Sequence, residues 1–250
     1  MKKRKINKKK ITLFIFIIIF LSMFILSSIK IINYLKDNKQ NRDIKKIVSE
    51  AVTIEPTDTL EERYKVNFKV LKEKNSDTVA YLKVNNTNID YIVTKAKDNK
   101  YYLNHNFNKE SNVSGWVFAD YHNKFDNTDK NIIIYAHNTM DGSMFGTLKN
   151  ILTDEWYQNK DNHQILLITE NKVNIYEVFS TYVIESENYY ITTDFTDDSE
   201  FETFINNLKF RSTNSYNVDL NKTDRILTLS TCTADGKKRV VLHAKLIKED

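Results

Sequence analysis

An uncharged run of nineteen mostly apolar residues, positions 11–29, limits how this chain can fold more than any other stretch. At about 1.5 Å of rise per residue, a helix of this length crosses a hydrocarbon core of roughly 30 Å. Lys30 follows Ser27, Ser28 and Ile29 without the small-residue pattern of a signal-peptidase site. The sequence therefore predicts an uncleaved transmembrane signal-anchor at residues 11–29, and the folded part must lie beyond it.

Positive charge is concentrated before this run. Seven of the first ten residues are basic and none is acidic, which predicts a cytoplasmic segment at residues 1–10 and a single-pass membrane protein with residues 30–250 outside the cell. Removing these seven charges from the net charge of +4 leaves −3 for residues 11–250, so no nucleic-acid partner is expected. The basic residues are Lys2, Lys3, Arg4, Lys5, Lys8, Lys9 and Lys10.

From residue 77 onward the chain consists largely of short runs rich in β-branched and aromatic residues. Asn- and Asp-rich turns separate them, and this pattern is typical of a β-barrel or a β-sandwich. The sequence therefore predicts a mainly β domain with accessory helices at residues 77–250. The runs lie at 79–84, 89–93, 116–118, 131–136, 164–169, 173–184, 226–231 and 239–247.

Two stretches inside this region have the apolar spacing of helices, residues 144–152 and 199–209. Ser199 and Glu202 have capping-box spacing, which predicts the start of the second helix. Residues 30–76 are polar with helical apolar spacing, and Pro56 divides them. We expect two helices there, forming a stalk or N-terminal extension; a solvated linker is the alternative.

The chain has one cysteine, Cys232, at the end of the run 226–231. A charged turn follows, and the next run begins at Arg239, so the two runs are expected to pair as antiparallel strands with Arg239 near the sulfur. A lone cysteine is often an inert buried side chain, but outside the cell a solitary thiol is a candidate nucleophile. No CxxC or HExxH spacing occurs, so no metal site is expected.

Residues 131–138 read as a buried strand that ends in His137 and is followed by a glycine turn. A histidine, then a cysteine within Thr-Leu-Ser-Thr-Cys, then an arginine, each at a strand end, resembles the sortases over residues 77–250. The class B sortases match best, through the sequences at 101–104, 141–145 and 190–195 and the helix before the cysteine strand. Ala136 and Ile92 depart from the class pattern, which more often has glycine and proline there.

The resemblance implies an eight-stranded sortase-type β-barrel with a helical N-terminal extension and a helix in the connection before the cysteine strand. It also implies a cysteine transpeptidase that needs no cofactor. Cys232 would attack the backbone carbonyl after Thr in the sorting motif of a secreted protein, giving a thioacyl-enzyme. His137 would protonate the leaving amine and then deprotonate the amine of a cell-wall (peptidoglycan) precursor, while Arg239 would hold the oxyanion.

The same comparison of motifs gives six residues of a peptide groove. Two are expected on one wall, three in a lid loop and one on the floor. For the large apolar ones, ordinary burial in the core is the competing interpretation. They are Asn99 and Leu103 on the wall, Ser186, Tyr190 and Ile191 in the lid loop, and Ser230 on the floor.

Two other functions compete with a transpeptidase at this stage. A cysteine peptidase or amidase would use the same thiol and histidine but pass the acyl group to water, and a product assay with and without an amine acceptor separates the two. A non-enzymatic membrane-anchored binding or sensor domain would contain Cys232 as a structural residue, and the accessibility of the thiol separates that case.

Overall fold

The computed structural model describes residues 8–57, 59–233 and 236–250, so the basic residues at positions 2–5 lie outside the described part. After one long N-terminal helix, short helices lie between strands that mostly follow one another in pairs. The helices are α1 Lys8–Ser49, α2 Leu60–Arg63, α3 Phe68–Lys74, α4 Asp154–Gln158 and α5 Asp198–Phe210, with 3₁₀ turns at Tyr101–Leu103, Leu148–Leu152, Lys160–His163 and Tyr189–Ile191. The strands are β1 Val52–Ile54, β2 Tyr64–Val66, β3 Thr78–Val84, β4 Asp90–Thr94, β5 Phe118–Ala119, β6 Asn131–Tyr135, β7 Gln164–Thr169, β8 Val173–Glu185, β9 Ile226–Cys232 and β10 Lys238–Glu249.

Strands β3 to β10 close into a barrel in the order β10-β8-β7-β3-β4-β5-β6-β9, which confirms the expected eight-stranded barrel. Most neighbours are antiparallel, but β6 and β9 run parallel, as do β4 and β5. A parallel pair requires a long connection between its strands. The 90 residues between β6 and β9 contain two further strands and α5. The parallel pairing of β6 with β9 brings the C-terminal ends of these two strands to the same rim of the barrel.

The barrel strands are buried on both faces, because helices and loops cover much of the outside. In β9, the apolar residues Leu227 and Leu229 and the hydroxyl residues Thr228 and Ser230 are all at most 3% exposed. Burial of the hydroxyl residues is tolerated because each has a hydrogen-bond partner. The apolar and hydroxyl side chains that alternate along β9 are therefore all buried, and neither set faces solvent.

Helix α5 is present, but its predicted start is wrong. Asp197, not Ser199, is the N-cap, and its carboxylate accepts hydrogen bonds from the backbone N–H groups of Ser199 and Glu200 at 2.9 Å. An aspartate cap also places a negative charge at the positive end of the helix dipole. The apolar face that predicted the helix is confirmed as a packing face, with Phe201, Phe204, Ile205 and Leu208 all buried.

The helix expected at residues 144–152 is shorter than predicted. Met144 has a positive φ of 50° and forms an isolated β-bridge with Asn138, so the chain between these two residues forms a tight loop. Phe145 donates its backbone N–H to the carbonyl of His137 at 3.0 Å. Within residues 144–152, only Leu148–Leu152 is helical, and it forms a 3₁₀ helix.

The N-terminal region differs from two helices on either side of Pro56. Helix α1 runs unbroken to Ser49, and among the described residues it is the one helix long and apolar enough to cross a membrane. Residues expected to be helical then pair as strands β1 and β2, in register from Val52 with Val66 to Ile54 with Tyr64. Burial of Ile44 and Val48 at 5% and 3% exposure shows that α1 packs on the barrel and is not a solvated linker there.

Candidate active site

Cys232 is the last residue of β9, and its Cα partner across the antiparallel pair is Arg239 of β10. The cysteine is half-buried and free. β9 and β10 therefore pair as expected, and their register places Arg239 directly opposite Cys232. A partly exposed thiol at a barrel rim can be reached by a substrate, as a nucleophile must be.

His137 lies just past the end of β6, which runs parallel to β9 with Tyr135 beside Ser230. Two residues further along each strand are His137 and Cys232, so the parallel register brings them to the same end of the barrel. The hydroxyl of Thr231 donates to the carbonyl of Ala136 at 2.7 Å and ties the two strand ends together. This bond fixes the backbone immediately before both residues.

The imidazole of His137 is held by the backbone of the neighbouring loop. Its Nε2 lies 2.7 Å from the carbonyl oxygen of Leu103. Since a carbonyl only accepts hydrogen bonds, Nε2 carries a proton in this arrangement, and a neutral His137 has its lone pair on Nδ1. Leu103 is therefore beside His137, and its side chain is 39% exposed.

The guanidinium of Arg239 is bound to the turn that precedes its own strand. Its Nη1 donates to the carbonyl oxygens of Gly236 at 3.2 Å and Lys238 at 3.0 Å. A guanidinium has five N–H donors in a planar fork. These two bonds use one nitrogen and orient the group.

Tyr190 and Ser230 lie together beside these residues. The Tyr190 hydroxyl is 3.0 Å from Oγ of Ser230, and both side chains are 3% exposed. Burial raises the pKa of Tyr190, the hydrogen bond with Ser230 and the charge of Arg239 act against the rise, and Cys232 adds to it. The raised pKa keeps the phenol protonated at neutral pH, and the phenol lies near both Arg239 and Cys232.

The other predicted groove residues are placed less directly. Ser186 is exposed just after β8, and Ile191 is half-buried in the 3₁₀ turn that contains Tyr190. Asn99 donates from Nδ2 to the carboxylate of Asp120 at 2.7 Å and accepts from the backbone of Tyr121 at 3.0 Å. The amide of Asn99 thus already has protein partners, and a contact between Asn99 and a peptide stays a prediction.

Asp120 is a residue that the sequence analysis missed. It is 3% exposed and accepts hydrogen bonds from Asn99 and the hydroxyl of Tyr135, and it lies 2.8 Å from Nδ1 of His122. Because Tyr135 ends β6 two residues before His137, Asp120 holds the strand end that carries the histidine. Its position just after a buried strand run is the signal that would have identified it.

A buried chain of hydrogen bonds around His243 was also missed. His243, fully buried in β10, lies 2.8 Å through Nε2 from the Tyr182 hydroxyl and 2.9 Å through Nδ1 from the Thr228 hydroxyl. Thr228 donates its only proton to Asn131 at 2.7 Å, so it accepts Nδ1–H, and Nε2 accepts from Tyr182. Burial and the charge of Arg211 lower the pKa of His243 to about 3, so the imidazole is neutral.

This chain reaches both ends of the loop that contains Tyr190. At one end, Asn131 donates to the carbonyl of Thr192 at 3.0 Å. At the other end, Tyr182 is hydrogen-bonded to Arg211, which forms an ion pair with Glu187. The loop over the rim is therefore fastened from inside the barrel.

The described residues give no sign of a metal site. Within residues 8–57, 59–233 and 236–250, no three His, Cys, Asp or Glu side chains cluster in a way that could hold an ion. A polar cavity of about 750 Å³ between Asn88 and Trp156 contains none of the predicted site residues. What the barrel rim can do chemically therefore depends on its thiol, imidazole, guanidinium and phenol.

Comparison with known proteins gives one family. The family model of the sortase domain matches residues 82–247. Sortase B of Listeria monocytogenes is 34% identical over 236 residues, covering 92% of this chain and 94% of the relative, and sortase B of Staphylococcus aureus is 31% identical over 252 residues, covering 98% of each.

Solved structures agree with this result. The structure of sortase B from Bacillus anthracis in complex with AAEK1 has a TM-score of 0.74 at 33% identity, over 86% of this chain and 99% of that one. Clostridium perfringens sortase B has a TM-score of 0.69 at 36% identity, over 73% and 100%. With a barrel rim that combines Cys232, His137 and Arg239 and with relatives that span nearly its full length, this chain belongs to the sortase family of cysteine transpeptidases, in class B.

Proposed function

We propose that this protein is a membrane-anchored, extracellular transpeptidase that cleaves the C-terminal sorting motif of secreted proteins after Thr and joins the new carboxyl end to the amine of a cell-wall precursor. One observation carries the proposal. Cys232 lies opposite Arg239 in the β9–β10 pair and at the same barrel end as His137 of the parallel neighbour β6. These three groups are the nucleophile, oxyanion donor and proton carrier that acyl transfer needs.

The first half of the reaction forms a thioester. The Cys232 thiolate adds to the carbonyl carbon after Thr, and the carbonyl oxygen becomes an oxyanion. The tetrahedral intermediate then collapses, the C–N bond breaks, and protonated His137 gives its proton to the leaving amine.

The second half reverses these roles with a new amine. The acceptor amine adds to the thioester carbon, neutral His137 takes the proton released from nitrogen, and the C–S bond breaks to return the thiolate. The bond from Nε2 of His137 to the Leu103 carbonyl supports this role, because it holds the ring through one nitrogen and leaves the basic position on the other.

Arg239 is proposed to stabilise the oxyanion. Its Nη1 donates to the carbonyls of Gly236 in the turn and of Lys238 at the start of β10, which orients the guanidinium, and we expect its remaining donors to face a bound carbonyl. A fixed donor needs no reorganisation when the oxyanion forms, which is where its catalytic advantage lies.

The peptide is proposed to lie between the loop at 99–103 and the loop at 186–191. Leu103 has an exposed side chain next to His137, and Tyr190 bridges the second loop to Ser230, two residues before the thiol. Ser186 and Ile191 flank Tyr190 in this loop, and Asn99 supports the opposite wall through Asp120.

Location and topology are part of the proposal. The apolar side chains of α1 from Ile11 to Ile29 are exposed in the folded chain, as lipid-facing residues would be. With the basic N-terminal segment in the cytoplasm, the barrel lies on the outer side of the cell membrane.

The decisive experiment is a product assay. The full chain in detergent is incubated with a panel of peptides that contain Thr at the cleavage position, with and without triglycine as an amine acceptor. A ligated product that appears only with the amine, and disappears in Cys232→Ala, supports the proposal. Cleavage without ligation at any amine concentration would instead indicate a hydrolase.

A further inference from the structure

Two loops of the barrel have strongly exposed apolar tips beside the anchor helix. The side chain of Met140 is 89% exposed and that of Val113 is 58% exposed. The backbone N–H of Met140 donates to the Tyr34 hydroxyl at 3.0 Å, and that of Val113 donates to the Asp37 carboxylate at 2.8 Å. Both tips therefore contact the first turns of α1 that follow its apolar run.

The barrel is firmly attached to this part of the helix. Asn38 and Asn41 are 1% and 2% exposed, and they pair with Ser114 and with the carbonyl of Gly115 in the Val113 loop. Arg42 forms an ion pair with Asp141 in the Met140 loop at 2.7 Å. Because α1 continues without a break from the apolar run into these contacts, the helix sets the height of both loops.

By helix rise, Tyr34 lies near the outer edge of the headgroup layer of a bilayer, and Asp37 lies a few ångströms above that layer. Tyr34 follows Ile29 by five residues, which is about 7.5 Å of helix, and Asp37 follows it by about 12 Å. The polar layer extends roughly 5–8 Å beyond the hydrocarbon core on each side. Side chains of a helix lean toward its N-terminus, which brings both contacts closer to the membrane. Ile31 and Ile32, both exposed, extend the apolar surface of the helix in the same direction.

We propose that Met140 and Val113 insert into the outer headgroup layer, so that the barrel rests on the phospholipid surface with these two loops facing down. This inference depends on the proposed anchoring of α1. Isolated exposed apolar residues are common on proteins. Two loop tips that are both apolar, both fixed to the same two helical turns and both within a few ångströms of the headgroup layer fit contact with a lipid surface.

The contact involves the same loops as the active site. Met140 is three residues after His137, and the Val113 loop is hydrogen-bonded to the loop of Leu103 through Asn112 and the carbonyl of Asn104 at 2.9 Å. The loops that contain Leu103 and His137 are therefore directly connected to the two apolar tips. A phospholipid surface would border the peptide groove and limit the direction from which a polypeptide enters.

Spin labels test this arrangement in the full chain. Cys232→Ala removes the only native cysteine, and Met140→Cys, Val113→Cys or Ile54→Cys then adds one labelling site. Ile54 is the matched control, since it is 65% exposed but follows the end of α1, which is about 30 Å of helix beyond Ile29. The labelled proteins are placed in nanodiscs of phosphatidylglycerol and phosphatidylethanolamine, and collisions with a water-soluble nickel complex and with oxygen are measured.

We expect the labels at 140 and 113 to collide with the nickel complex several-fold less often than the label at 54, and with oxygen more often. A fourth label, from Phe20→Cys, reports whether α1 is inserted. If it is in lipid while the labels at 140 and 113 are as accessible to nickel as the label at 54, the seating of the barrel is refuted and the anchor remains. If the label at 20 is itself in water, the anchor is wrong and both ideas fall.

Discussion

Acidification should destabilise this barrel well before its carboxylates are protonated, because His243 is buried as a neutral imidazole. In the folded protein its pKa is lowered to about 3, whereas the unfolded chain has the ordinary value of 6.5. Between these values the unfolded state binds a proton that the folded state does not. Stability from this residue is therefore complete above pH 6.5 and is lost as the pH falls toward 3.

The size of the effect follows from the shift. At pH 4.5, two units below the unfolded pKa, the loss is roughly 3 kcal/mol at about 1.4 kcal/mol per unit. Protonation would put a cation where Tyr182 and Thr228 supply the hydrogen bonds and where Arg211 already carries a positive charge. The lowered pKa of His163 acts in the same direction.

Urea unfolding of the full chain in detergent, at pH 7.5, 5.5 and 4.5, measures this loss. Trp116 and Trp156 are both buried in the barrel, so their fluorescence reports its unfolding. His243→Asn retains a donor toward Thr228 but cannot titrate, and in the comparison with wild type the contributions of carboxylates and of His163 cancel. Equal pH dependences of the unfolding free energy in the two proteins would show that His243 is not the cause of the acid-induced loss of stability.

Three further predictions concern catalysis, stability and topology. His137→Ala should lower the acylation rate by about 10²- to 10⁴-fold without lowering thermal stability. Phe204→Ala, at a site 2% exposed, should instead lower the unfolding free energy by roughly 3–5 kcal/mol. Equal melting temperatures for the two variants would contradict this. Arg239→Lys keeps the charge but not the planar fork, so single-turnover acylation should be nearly as slow as in Arg239→Ala, about 10²- to 10³-fold below wild type, while the pH dependence of Cys232 alkylation stays near native; wild-type acylation in the lysine variant would rule out a directional role. Protease added to intact protoplasts should digest the barrel. Protection of the barrel would contradict the proposed topology, in which the barrel lies outside the cell.

The sequence alone could predict what depends on neighbouring residues in the chain. Two β-rich runs separated by a short charged turn pair as a hairpin, and this placed Arg239 opposite Cys232. The apolar spacing in α5 was likewise sufficient to predict its buried face, with Phe201 and Phe204 inward. The parallel pairing that brings His137 to the same barrel end as Cys232 has no local signal. Only the resemblance to sortases suggested that His137 and Cys232 act together.

The missed features have separate physical causes. His243 looked like an ordinary strand residue, because its partners Tyr182 and Thr228 come from two other strands. Residues 52–66 are mostly polar with apolar residues at helical spacing. The strands β1 and β2 nevertheless pair in this stretch, because each provides hydrogen-bond partners for the backbone of the other. Asp197 caps α5 in place of Ser199 because the helix begins two residues earlier than the capping-box spacing predicted, and the Asp197 carboxylate accepts from the backbone N–H groups of Ser199 and Glu200.

The step that distinguishes this mechanism is a thioacyl-enzyme on Cys232, and intact-mass analysis of an acid-quenched reaction detects it. The full chain is mixed with a sorting-motif peptide that it cleaves, without an amine acceptor, and quenched within one turnover. This mechanism requires a mass increase equal to the acyl fragment ending in Thr, located on Cys232, removed by hydroxylamine and absent in Cys232→Ala. Peptide cleavage that continues at the wild-type rate in Cys232→Ala would contradict it.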